Sequence, residues 1–287
     1  MLSKFFARFS PVLAICFTVL NAATTDAQTP KKEVATSHVN RGSSWYPRDE
    51  FQRALNDYDI AIVFHPKSAT AYYNRAVLLQ LAGELDKALR DYNKAIEIKP
   101  RYASAYSNRA GVYYAQGKVD EAIADCNRVI EIDSRHAGAY TNRGVLRSTK
   151  GNIEAALVDH NKAIKLNPHL ATAYFNRGVL FLNQGELKLA LADFDRAIEN
   201  APSLAMAYVN RGSVRVALRN FAAALADYDR AISLDPTMAA VYQNRGIAYL
   251  LLGKEREAER DFARSLELDS SLTSSLERTV TAAKNRR

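Results

Sequence analysis

Cysteine is almost missing from this chain: Cys16 and Cys126 are the two examples among 287 residues. That scarcity excludes a scaffold stapled by disulfides. Long apolar runs are missing too. Residues 11–23 form one apolar stretch, shorter than the roughly 20 residues a membrane-spanning helix needs, and no other run comes closer. Alternation of period two is absent, which argues against half-buried strands. No HExxH, GxSxG, GxGxxG or phosphate-binding Walker loop occurs. The histidines, His38, His65, His136, His160 and His169, show no metal-ligand spacing, and the carboxylates recur at framework intervals instead of forming an isolated pair. No enzyme activity, cofactor or metal is therefore expected. The formal net charge is +8, but Lys and Arg are interleaved with Asp and Glu without a basic stripe, so nucleic acid is not an expected partner.

What the chain does have is a period of 34 residues. The hexad AYFNRG at residues 173–178 has relatives at 71–76, 105–110, 139–144, 207–212 and 241–246, each 34 residues from the next in line. Asn74, Asn108, Asn142, Asn176, Asn210 and Asn244 hold the step, as does Asn40 in a degraded copy. So do Ala54, Ala88, Ala122, Ala156, Ala190, Ala224 and Ala258. A third row is Gly83, Gly117, Gly151, Gly185 and Gly253, with Arg219 as the exception between the last two. A fourth is Pro66, Pro100, Pro168, Pro202 and Pro236, with Ser134 and Ser270 as substitutes. Such self-similarity marks a repeat architecture.

One copy, residues 171–204, shows how a unit folds. At 100° per residue, Tyr174, Gly178 and Phe181 fall within about 60° of one another and form one packed helical face. Gly185 suits a left-handed helix terminus. Leu187, Ala190, Leu191, Phe194, Ala197 and Ile198 then follow the spacing of a second amphipathic helix, which Pro202 ends. Each unit is thus predicted to be two antiparallel helices, and the chain all-α. Arg219 replaces glycine at a turn, at a cost of about 1–2 kcal/mol if it turns left-handed, with Asn220 beside it as relief. Pro47 falls late in the first helix of the first unit, which should stop near Trp45.

These residues resemble the tetratricopeptide repeat family, through Tyr174, Gly178, Phe181, Gly185, Ala190, Phe194, Ala197 and Pro202 and their equivalents over roughly residues 33–272. The resemblance implies a right-handed superhelical α-solenoid with its first helices lining a concave groove. Seven repeats are expected over 35–272: a degenerate one at 35–68, then 69–102, 103–136, 137–170, 171–204, 205–238 and 239–272. Residues 273–287 read as a capping helix and basic tail, with Leu272, Leu276 and Val280 facing inward.

Two polar rows stand beside the packed face. Sixteen residues after each Arg comes an Asp: Arg75 and Asp91, Arg109 and Asp125, Arg143 and Asp159, Arg177 and Asp193, Arg211 and Asp227, Arg245 and Asp261. Paired charges explain such partly buried residues, so these are expected to be structural ion pairs, within or between repeats. The Asn row is different. Asn176 projects about 160° from Tyr174, so Thr172, Asn176, Val179 and Asn183 read as an exposed stripe. An amide can both donate to and accept from a peptide backbone, and the resemblance implies asparagine ladders that do so. The row Asn74 to Asn244, with Thr172 and Asn183, is therefore the expected peptide-binding groove. Its neighbours, Thr70, Tyr73, Ser104, Ser107, Thr141, Phe175, Met206, Val209 and Gln243, are neutral. That argues against relatives that clamp a terminal carboxylate with Lys and Arg.

Lys4, Arg8 and the apolar run before Ala27 read as a secretory signal peptide cleaved after Ala27 or Ala23, followed by a linker at 28–34. An uncleaved anchor is the alternative. Export, most simply to a periplasm and otherwise to the exterior, is the expectation. Removing residues 1–27 would take away Lys4, Arg8 and Asp26 and leave a net charge of +7, with Cys126 as the lone cysteine in an aromatic row, buried as a small hydrophobe. Two functions follow. One is an adaptor that holds an extended peptide or partner protein in its groove. The alternative is a structural subunit of a cell-envelope assembly or secretion machine, bound by its convex face or its ends.

Overall fold

The computed structural model describes residues 48–284. The predicted signal peptide, linker, first helix of the first repeat, its stop near Trp45 and the last residues of the tail lie outside the described residues. The rest is helical throughout. In chain order the helices are α1 (Arg48–Phe64), α2 (Ala69–Leu81), α3 (Leu85–Ile98), α4 (Ala103–Ala115), α5 (Val119–Ile132), α6 (Ala137–Thr149) and α7 (Ile153–Leu166). They continue with α8 (Ala171–Gln184), α9 (Leu187–Asn200), α10 (Ala205–Ala217), α11 (Phe221–Leu234), α12 (Ala239–Leu251), α13 (Glu255–Leu268) and, after a short 3-10 turn at Ser270–Leu272, α14 (Thr273–Lys284). This is a solenoid of repeated antiparallel helix pairs closed by a capping helix.

The turn inside each pair is made by one left-handed residue. Gly83, Gly117, Gly151, Gly185 and Gly253 have φ between 74° and 82°, and Arg219 adopts φ 61° in the fifth turn. In the first such turn, Gly83 N–H donates to Gln80 C=O (3.0 Å) and Glu84 N–H to Leu79 C=O (2.8 Å). Two of the carbonyls that a helix end leaves unpaired are thereby satisfied. Asn220, the residue after Arg219, caps α11 by accepting from Ala223 N–H at 3.4 Å.

The described residues divide into two compact units within α7, one up to Asp159 and one from His160. In the N-terminal unit each helix from α1 to α6 packs on the next, and α2 also touches α4. Its core is built by Tyr73, Ala76, Ala88, Tyr92, Ala95, Tyr102 and Val112, followed by Ala110, Ala122, Cys126 and Leu146. The C-terminal unit repeats the plan from α8 to α13, with α8 touching α10 and α10 touching α12. Phe175, Phe194, Val179 and Val214 fill its first seam, and Val209, Tyr228 and Ala248 the next. Leu276 of α14 is buried and Val280 packs against Ile247, Leu250 and Ala258. The cap thus shields an apolar end that a terminal pair would otherwise expose.

Where paired helices approach most closely the residue is small. A methyl on Gly178, Gly212 or Gly246 would meet the Phe194, Tyr228 or Phe262 ring at 2.9, 2.7 and 2.5 Å. In the N-terminal unit Ala76 and Ala110 take this place, packed in the clusters of Tyr92 and the smaller Cys126, followed by Gly144.

Candidate functional site

The guanidinium row is a set of staples. Arg177 donates from Nε and Nη2 to the two carboxylate oxygens of Asp193 at 2.8 and 2.7 Å. Arg75, Arg109, Arg143 and Arg245 hold Asp91, Asp125, Asp159 and Asp261 by the same two-pronged geometry, and Arg211 holds Asp227. All six pairs lie within one repeat, from first helix to second. The aspartate side chains are 2–9% exposed and the arginines 15–23%. Such bidentate, charge-assisted bonds are the strong ones. The hydrogen bond to the aspartate is the largest cause holding Arg75, Arg143, Arg177 and Arg245 above the usual guanidinium range, against desolvation.

The remaining prong of each arginine reaches the preceding repeat. Nη1 donates to Asp59, Asn93, Asn127, Asn161, Asp195 or Asp229, at 2.5–2.7 Å. This acceptor row lies sixteen residues before each Arg and keeps the 34-residue step. The pairing rule therefore had a mirror image that the sequence reading missed, hidden because the row mixes Asp with Asn. Each guanidinium also sits 5.3–5.8 Å from the tyrosine ring three residues earlier, from Tyr72 under Arg75 to Tyr242 under Arg245. Cation–π attraction adds to the clamp. Asp159 and Asp227 accept a second arginine, Arg147 and Arg215, each at 2.8 Å.

The amide row does not lie where a single helix projects it. Asn108, Asn142, Asn176, Asn210 and Asn244 are buried and Asn74 is half-buried. The expected exposed stripe keeps Asn183 at the surface, whereas Thr172 is half-buried and Val179 fully buried. Its neighbours Tyr73, Ser107, Thr141, Phe175 and Val209 are buried as well. The physical reason is stacking. The angle from Tyr174 describes one hairpin, but in the stack a neighbouring first helix covers part of the opposite side. Asn108 Nδ2 donates to Tyr73 Oη at 3.1 Å, from α4 to α2, across such a seam. Tyr73 in turn packs on Tyr92 and Tyr102, with ring centroids at 6.0 and 5.0 Å.

Large apolar side chains do reach the surface, on other elements. Ile60, Val63 and Phe64 of α1, Val158 of α7 and Leu189 of α9 lie on second helices; Leu218 and Leu252 begin the turns, and Leu81 ends α2. Ile60 and Val63 stand where other repeats carry surface ion pairs, Lys94–Glu97, Arg128–Glu131, Arg196–Glu199 and Arg264–Glu267. The sequence reading passed over these positions because none belongs to a row that runs through all the repeats.

Among the described residues no group of His, Cys, Asp and Glu is arranged to hold a metal ion, and no helix is long and apolar enough to cross a membrane. Cys126 is buried and desolvation pushes its thiol up to about 12, with the Asp125 charge adding to the shift. It is a packing residue.

Comparison with known proteins points one way. The family described as TPR repeat matches at residues 81–117, 147–185 and 212–253, and families described as tetratricopeptide repeat match at 103–136, 171–204 and 239–272. No curated protein matches the chain. Among solved structures, a tetratricopeptide repeat protein from Parabacteroides merdae superposes with a TM-score of 0.67 at 19% identity, over 87% of this chain and 99% of its own. The pilF protein of Pseudomonas aeruginosa gives 0.64 at 19% identity, over 72% and 95%. MamA gives 0.51 at 25% identity, over 57% and 96%.

Proposed function

The chain belongs to the tetratricopeptide repeat family, a protein–protein interaction module, and from that premise we propose that it is a non-enzymatic structural scaffold engaging partner proteins through its second-helix faces, turns and ends. One observation carries this reading. The exposed large apolar side chains lie on second helices, at the turns and, for Leu81, at the end of a first helix, while five of the six amides are buried and Asn74 is half-buried. Contiguous apolar surface left in water marks protein contact, and Ile60, Val63 and Phe64 share one exposed face of α1. An extended peptide, by contrast, would reach Asn108 only after α2 and α4 parted and the bond to Tyr73 broke. Breaking it would leave polar groups buried without partners, which costs about 1–3 kcal/mol each.

The basic start, apolar run and small residues of 1–27 support export, and with it a role as a subunit of a cell-envelope or secretion assembly. Photo-crosslinkers placed at Val63, Val158 and Leu189, and separately at Thr172 and Asn176, test the surface used. The second-helix positions should yield the partner adducts in the native host. Adducts from Thr172 and Asn176 alone would restore groove binding and reject this reading.

A further inference from the structure

The repeats act as controls for one another, and one edge departs from the pattern. In the N-terminal unit, neighbouring turns are tied by side chains: Gln116 Nε2 donates to Asp86 at 3.0 Å and Lys150 Nζ to Asp120 at 2.5 Å. In the C-terminal unit the residues at the same step as Gln116 and Lys150 are Gln184, Leu218 and Leu252, and the two leucines are 42% and 41% exposed. Leu189, at the start of α9, is 49% exposed. An apolar side chain cannot make the polar tie, so these turns present hydrocarbon to water instead.

The charge of the edge inverts as well. Residues 82–86, 116–120 and 150–154 carry four carboxylates and two lysines. Residues 184–188, 218–222 and 252–256 carry two carboxylates and four cations, Lys188, Arg219, Lys254 and Arg256. Arg219 also holds a left-handed backbone where five other turns use glycine. A strained residue kept in place of the relaxed one points to a job for its side chain.

We infer that the turn edge of the C-terminal unit, Leu189, Leu218 and Leu252 ringed by Lys188, Arg219 and Lys254, docks an acidic amphipathic segment of a partner protein. Leucines on that segment would cover the exposed leucines, and its carboxylates would meet the cations. Opposite charge at the rim sets orientation and on-rate, while the apolar centre supplies the affinity. This rests on the scaffold reading and gives it a place and a partner chemistry.

The test uses the full chain and a synthetic helix of about 14 residues with leucines on one face and glutamates beside them. Fluorescence anisotropy should show binding that weakens about tenfold in the Leu218→Gln/Leu252→Gln double variant. Arg219→Gly should weaken it about threefold. Raising salt from about 50 to about 300 mM should weaken it further. The side chains changed are exposed, so the urea midpoint of the leucine variant should stay at the wild-type value.

Equal binding by the double variant, equal binding of a lysine-for-glutamate peptide, or no binding of the acidic helix would overturn the inference. So would binding of anionic phosphatidylglycerol vesicles lost in the same variant, because the edge would then be a lipid contact. If the edge fails while crosslinks from Val63 or Val158 persist, the scaffold reading stands without this site. If both vanish, the scaffold reading falls too.

Discussion

The two units obey one interior rule and present different exteriors. Up to Asp159, the close-approach step is filled by Ala76 and Ala110, in the clusters of Tyr92 and Cys126, and then by Gly144. From His160 onward it is made by Gly178, Gly212 and Gly246 against Phe194, Tyr228 and Phe262. In both units the guanidinium of each first helix is gripped by an aspartate and by the preceding repeat. The turns, in contrast, change from acidic and tied to basic and apolar. What stays constant is what folding requires. What varies freely is the surface left over, and that is where specificity for a partner can be written.

The largest effect should come from the interior network. Asp227 is gripped by Arg211 and Arg215, whereas Asp125 is gripped by Arg109. Asp227→Ala would leave Arg215 without its carboxylate and Arg211 with Asp195 alone, and lower the urea unfolding free energy by about 3–5 kcal/mol. Asp125→Ala should cost less, and the more so because burial raises the Asp125 carboxyl pKa, an effect its bond to Arg109 only partly offsets. Equal losses would break the contrast.

His160 comes next. It stands in the aromatic row of Phe194 and Tyr228, is fully buried, and neither ring nitrogen has a hydrogen-bond partner. Desolvation, helped by the Arg177 charge, lowers its pKa from 6.5 to about 4. The unfolded chain therefore binds the extra proton first. Stability is complete above pH 6.5 and falls as pH drops toward 4, by about 3 kcal/mol in all. His160→Phe should flatten urea midpoints measured across that window, while an unchanged slope would assign the acid sensitivity to other groups.

Gly246→Ala should then cost about 2 kcal/mol by overpacking, since the added methyl meets the Phe262 ring and, at 3.2 Å, the Ala258 carbonyl oxygen. Ala110 already carries a methyl at this step, so Ala110→Gly should cost about 1 kcal/mol through helix propensity. Thermal unfolding of both variants checks the order. The smallest effect is Arg219→Gly, which should gain about 1 kcal/mol by releasing a left-handed residue; a loss would mean that the guanidinium over Phe221, 5.9 Å away, matters more than the strain.

Much of this architecture was legible in the residues. The helix pairs follow from the stripe Leu187 to Ile198, the turns from Gly185 and its row, and the ion pairs from the interval between Arg177 and Asp193. The second grip on each arginine was not read, because Asp59 and Asn93 look unrelated until the mirrored interval is noticed. The burial of Asn176 could not be read from a projection of its own helix, since a neighbouring helix does the covering. Leu218 and Leu252 escaped notice for a third reason: a periodic sequence draws attention to what repeats, and recognition uses what does not.

The central claim is that the amides are interior structure and the outer surface meets partners. Urea unfolding of an Asn108→Ala/Asn176→Ala double variant, read beside crosslinking from Val63 and Leu189, tests it most directly. The account predicts a loss of about 2–4 kcal/mol in stability, with crosslinks retained under folding conditions. Wild-type stability together with lost partner capture would contradict it.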